Sequence, residues 1–298
     1  VFANALDVES RHQEREMRHS VRRGVVHGTA SALILLSLGG VATAQRSVLK
    51  NIELCNGADR TSPDIQIDGC TSLINSGKET PQTLVIAYNN RGNAYVAKGE
   101  YDRAVQDYDQ SIKLSPTYSK AFNNRGVAYQ KKGEYDRAIK DFDESIKLNP
   151  DYGNAFANRA ATYQIKGEYE RAARDYDEAI RLKPTLESAW NGRCWSRAVV
   201  GELQAALADC NEALRLEPNV AATFDSRGLI YLKLGEWDSA IADYNSALRL
   251  DPKLASALYG RGLAKLKKRE AIEGNADVAA AKELAANIAE EFVGYGVQ

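Results

Sequence analysis

Four cysteines, a column of arginines, a column of aspartates and a run of asparagines are the side chains whose types and spacing bear on chemistry in this chain. Cys194 and Cys210 lie sixteen residues apart, Cys55 and Cys70 fifteen. Two similarly spaced pairs of thiols fit either two disulfides or buried free thiols acting as small apolar fillers. An Arg recurs at Arg91, Arg125, Arg159, Arg193, Arg227 and Arg261, and an Asp at Asp107, Asp141, Asp175, Asp209 and Asp243. Opposite charges with one shared period predict a structural ladder of ion pairs or capping bonds. The alternative, an arginine track for an anionic ligand, is opposed by the aspartates, which would neutralise it. Asn90, Asn124 and Asn158 each precede one of these arginines, with Asn89 and Asn123 beside them and Asn93 one turn on. An amide donates and accepts at once, so such a row can grip a peptide backbone whatever its side chains, or else form a solvated polar face.

Catalytic groups are harder to assemble. The three histidines (His12, His19, His27) all precede residue 30, so the rest of the chain can build neither a Ser-His-Asp nor a Cys-His arrangement, nor a zinc site that uses imidazole. Residues Ser76 to Thr80, "SGKET", lack the upstream glycine and the hydroxyl after Lys78 that a phosphate loop requires. The recurrent acidic residues fall at outward helical positions, with no dry pocket to shift their pKa. No catalytic residue, metal ligand or cofactor is expected. A formal net charge of -1 over 298 residues gives no reason to expect nucleic acid as a partner.

The elements that position these side chains begin after a leader. From Met17, the only methionine, "MRHSVRRG" is basic, "VVHGTASALILLSLGG" holds a short apolar core, and "ATA" ends at Ala44. This pattern predicts a secretory signal peptide cleaved after Ala44, with residues 1–16 an over-extended start. The apolar run is too short to span a bilayer comfortably, so no stable membrane insertion is expected after cleavage. Export, to a bacterial periplasm, then favours disulfides Cys55–Cys70 and Cys194–Cys210 over free thiols.

Beyond the leader, prolines fall at Pro116, Pro150, Pro184, Pro218 and Pro252, always 34 residues apart. Aligned on them, units such as "AFNNRGVAYQKKGEYDRAIKDFDESIKLNP" predict two short helices joined at a Gly-acidic turn (Gly99, Gly133, Gly167, Gly201, Gly235). Glycines inside the first helix (Gly92, Gly126, Gly228) are expected to admit the partner helix opposite Ala104, Ala138 and Ala240. One unit is odd: it carries Cys194 at the small-residue position, Arg197 at an aromatic one and Cys210 at another.

These offsets resemble the tetratricopeptide repeat, a small residue followed by an aromatic, an alanine, an aromatic and a final proline, recurring in register over about residues 50–285. The resemblance implies an all-α fold: an α-solenoid, wound as a right-handed superhelix of tandem helix-turn-helix repeats, with a concave groove for a peptide or protein partner. The expected layout is a leader at 1–44 and a degenerate capping repeat at 48–80. Full repeats follow at 85–118, 119–152, 153–186, 187–220 and 221–254, then a partial capping repeat and terminal helix at 255–298. First-helix positions line the groove in the family. Asn89, Asn90, Asn93, Asn123, Asn124 and Asn158 are therefore expected to hold a peptide backbone, a spacing similar to the asparagine ladder in the repeat domain of O-linked N-acetylglucosamine transferase. Trp195 and Leu229 are expected as apolar contacts where the ladder stops. The sequence therefore predicts an exported protein–protein interaction module without catalytic activity. The competing readings are an envelope carbohydrate-handling enzyme built on paired carboxylates, and a purely structural spacer.

Overall fold

The computed structural model describes residues 48–57 and 62–297; the expected leader lies outside them. Fifteen helices and no strand are found among the described residues. Two compact units divide the chain, one ending at Asn149 and one beginning at Pro150.

In the first unit, α1 (48–55) and α2 (Pro63–Asn75) precede the hairpins α3–α4 (Pro81–Ala97, Tyr101–Leu114) and α5–α6 (Ser119–Lys131, Tyr135–Leu148). Side chains cap α2 and α3: Ser62 accepts from the Ile65 amide and Thr80 from the Thr83 amide, each with a proline in the first turn. Within the hairpins the chain reverses through Gly99 and Gly133, whose φ values of 76° and 78° suit glycine. Each second helix ends at a leucine, Leu114 or Leu148, two residues before the recurrent proline.

The second unit repeats the scheme. Its hairpins are α7–α8 (Gly153–Ile165, Tyr169–Leu182), α9–α10 (Glu187–Val200, Leu203–Leu216), α11–α12 (Ala221–Leu234, Trp237–Leu250) and α13–α14 (Ala255–Lys267, Ala271–Leu284), followed by α15 (Ile288–Gly294). Residues 255–284 form a hairpin, and α15 follows it as a terminal helix.

The helix-internal glycines have a different neighbour from the one expected. A Cβ on Gly92 would lie 2.6 Å from the Tyr108 ring, on Gly126 2.7 Å from Phe142, and on Gly228 2.8 Å from Tyr244. The glycine therefore makes room for an aromatic ring rather than for Ala104, Ala138 or Ala240, although those alanines are themselves fully buried. In the odd unit both members of that contact change together. Cys194 takes the glycine's place, Cys210 the ring's, and they are joined with their Cα atoms 5.4 Å apart. Cys55 and Cys70 are joined likewise, at 4.5 Å. Loops of this size are stabilised by about 3 kcal/mol on closure.

Candidate functional site

The arginine and aspartate columns meet within every hairpin described. The Nε of Arg91, Arg125, Arg159, Arg193 and Arg227 donates to Asp107, Asp141, Asp175, Asp209 and Asp243 at 2.7 to 2.9 Å, and a second guanidinium nitrogen takes the other carboxylate oxygen. Such two-pronged pairs match the planar fork of Arg to a carboxylate. The Arg91 guanidinium is held above its usual pKa chiefly by its bond with Asp107, and Arg227 likewise by Asp243. These cations are spent on the fold and offer no anion track.

Two further features of the ladder went unread in the sequence. The remaining guanidinium nitrogen reaches back to the preceding hairpin: Arg125 to Asp109, Arg193 to Asp177, Arg227 to Asn211 and Arg261 to Asn245, at 2.6 to 2.8 Å. Each of these four arginines therefore closes its own hairpin and ties it to the one before within the same unit. The signal was present, because 109, 177, 211 and 245 share the 34-residue period as Asp or Asn. Arg261 also pairs with Asp277, extending the ladder into α13–α14. In the odd unit Arg197 joins Asp209 at 2.8 Å, so an ionic contact stands where other units place a tyrosine.

The asparagines of the first unit form a closed lattice. Asn90 donates to Asn56 at 3.2 Å and Asn89 to Asn90 at 3.3 Å; Asn124 donates to both Asn89 and Asn93 at 3.0 Å. Asn123 donates to Asn124, and the Tyr108 hydroxyl donates to Asn93 at 2.8 Å. Asn89 is 0% exposed, and Asn90 and Asn123 are 4% exposed each. This corrects the expectation that all of these amides line an open surface. Three of them are interior and knit successive first helices together, because a buried amide must find partners. Asn93 and Asn124 remain half-buried, as does Asn158, whose carbonyl accepts from Thr162.

In the second unit Leu229 is 1% exposed and belongs to the core, which removes it from the proposed apolar contacts. Trp195 is half-buried and covered. The Tyr295 ring meets it edge-on with centroids 4.9 Å apart, and Phe292 meets Tyr259 at 4.8 Å. Helix α15 brings Ile288 and Phe292 to 2% and 3% exposure in a cluster that also holds Phe224 and Leu263. Two such burials contribute roughly 1.5–3 kcal/mol each. Beneath this segment Lys233 donates to the Ala198 carbonyl at 2.6 Å and the Tyr295 carbonyl at 2.8 Å, with its pKa lowered by burial. Nearby Asp225 accepts from the Ser256 hydroxyl at 2.7 Å, and burial raises its pKa to about 7. Among the described residues no cluster of His, Cys, Asp or Glu could hold a metal ion.

Models of the tetratricopeptide repeat match residues 119–152 and 142–174, and a model described as TPR repeat matches 92–133 and 228–268. Solved structures resemble the chain at low identity. YrrB, a TPR protein, shares 22% identity with a TM-score of 0.52, over 65% of this chain and 98% of its own. A tetratricopeptide repeat protein from Parabacteroides merdae gives 18% and 0.61, over 84% and 99%. The Pseudomonas aeruginosa protein pilF gives 16% and 0.62, over 72% and 98%. At these identities the likeness concerns the fold. No curated protein matches the sequence. Helix hairpins in tandem, the glycine–aromatic contact and these matches identify tetratricopeptide repeats over the matched residues, 92–174 and 228–268.

Proposed function

We propose that this protein is an exported, non-catalytic interaction module that holds a peptide segment of a partner protein against the first-helix side of its hairpins. One observation carries the reading: the first-helix side of the second unit packs a peptide segment, residues 288–295 of the chain itself, against Trp195 and Tyr259. A surface that receives one short helix through aromatic contacts has the chemistry to receive another. The aspartates of the ladder are engaged by arginine, which speaks against the alternative built on paired carboxylates. Among the described residues no helix is long and apolar enough to cross a membrane. YrrB, a TPR protein of similar fold, has an unusual peptide-binding site, which fits the proposal.

Export is supported by the leader pattern and by the two disulfides, which persist in oxidising compartments. The experiment is affinity capture from a cell-envelope extract, with the intact mass of the purified chain measured alongside. The reading expects a chain beginning at Gln45 with no alkylatable thiol, and one partner retained reproducibly and released by a peptide of its own sequence. Four free thiols would contradict export. Retention no better than on an unrelated helical protein would contradict the interaction role.

A further inference from the structure

The segment on the second unit also says what kind of partner fits. Helix α15 has seven residues and no side-chain cap, too short to persist unaided in water. Its order comes from docking. Ile288, Phe292 and Tyr295 fall at positions i, i+4 and i+7, one face of a helix. Ile288 and Phe292 are buried; Phe292 meets Tyr259 and Tyr295 meets Trp195. The backbone at the end of the segment is held by Lys233, which donates to the Tyr295 carbonyl. The outward residues Glu290, Val293 and Gly294 are exposed.

We propose that the first-helix face of the second unit is a recognition site for a short helical segment of a partner protein, with an aliphatic residue followed four and seven positions later by aromatics. Residues 288–295 are its resident occupant, which the partner segment displaces. This rests on the interaction role proposed above. Recognition by two aromatic contacts and a backbone carbonyl asks little of the intervening sequence, so segments sharing only those three anchors compete for the face. Lys233 sets the polarity of docking, since its ammonium also donates to the Ala198 carbonyl at the end of α9 and needs an acceptor from the guest.

The probe is a fluorescent peptide of residues 285–298, titrated by anisotropy into the full chain and into its Phe292→Ala/Tyr295→Ala variant. The substitutions loosen the resident and leave the receiving face intact. The variant should bind the peptide at least tenfold more tightly than the wild type, and adding Trp195→Ala should abolish most of that gain. Equal binding by wild type and variant, or a gain that survives Trp195→Ala, overturns the proposal. So does a wild-type dimer formed by exchanging the segment, because the guest is then a second copy. Should the double variant lose helicity, hydrogen exchange on the wild type decides. Added peptide must strip protection from residues 288–295 while α11 keeps its own, and unchanged exchange in both contradicts the site. Because the peptide is the chain's own, success here with no partner captured from an extract would refute the interaction role and leave the site standing. The converse result would do the opposite.

Discussion

Asp225 is the residue at which the repeat departs furthest from its own chemistry. It shares a 34-residue column with Asn89, Asn123 and Asn191, yet carries a carboxyl in the interior. Its pKa is raised to about 7 by burial, with the Ser256 hydroxyl as partner; an unfolded aspartate titrates near 3.9. The folded chain therefore holds the proton more tightly. The resulting stability is complete below about pH 4 and is lost as the pH rises from about 4 to about 7. Asp225→Asn keeps the shape and the acceptor for Ser256 while removing the titration. The variant should be more stable than wild type at pH 8, on the order of a few kcal/mol, and nearly equal to it at pH 4. Parallel stability profiles for the two chains across that window would contradict the assignment. The asparagine columns show how residue-level reading falls short. Period and residue type located them, but one-residue offsets on a helix decide whether an amide faces solvent or the next helix. That information lies in the stacking of hairpins, which spacing alone does not encode.

At the scale of the element, the odd unit explains itself. A ring at the aromatic position leaves the small-residue position room for no more than a methyl group: a Cβ on Gly126 would come 2.7 Å from Phe142, and where the column departs from glycine opposite a ring it holds only Ala160, facing Tyr176. Cys194 and Cys210 meet that rule by changing together and bonding. Cys194→Ala/Cys210→Ala should cost about 3 kcal/mol through loss of the closed loop. Cys210→Tyr alone should be worse, because the ring meets the Cys194 side chain, while Cys194→Gly/Cys210→Tyr should recover stability by restoring the pair used elsewhere. Thermal unfolding of the three variants checks the order; a single Cys210→Tyr as stable as the coupled double would refute it. The helices themselves were legible. Prolines 34 apart, turn glycines and apolar stripes indicated two helices in each of the five full units, with a glycine turn between them and a proline after the second. The backward arm of Arg125, Arg193, Arg227 and Arg261 was not, since it links separate hairpins through a second column, at 109, 177, 211 and 245.

For the whole molecule, each unit is a set of hairpins held by the same arginine–aspartate pairs, and the two units present different side chains on their first-helix sides. There the first unit presents Asn93 and Asn124, half-buried above an amide lattice. The second presents Trp195 and Tyr259 beneath helix α15. The sequence made this side legible through family resemblance, but it could not show that a segment nearly a hundred residues away in the chain covers Trp195, a tertiary contact without local signal. In the proposed role, recognition takes place on the first-helix side and nowhere else. A photo-crosslinking residue placed in turn at Asn93, Tyr259 and the exposed second-helix position Gln110, followed by exposure to an envelope extract, tests it most directly. Partner adducts should form from Asn93 or Tyr259 and not from Gln110; adducts from Gln110 with none from the first helices would refute recognition on that side.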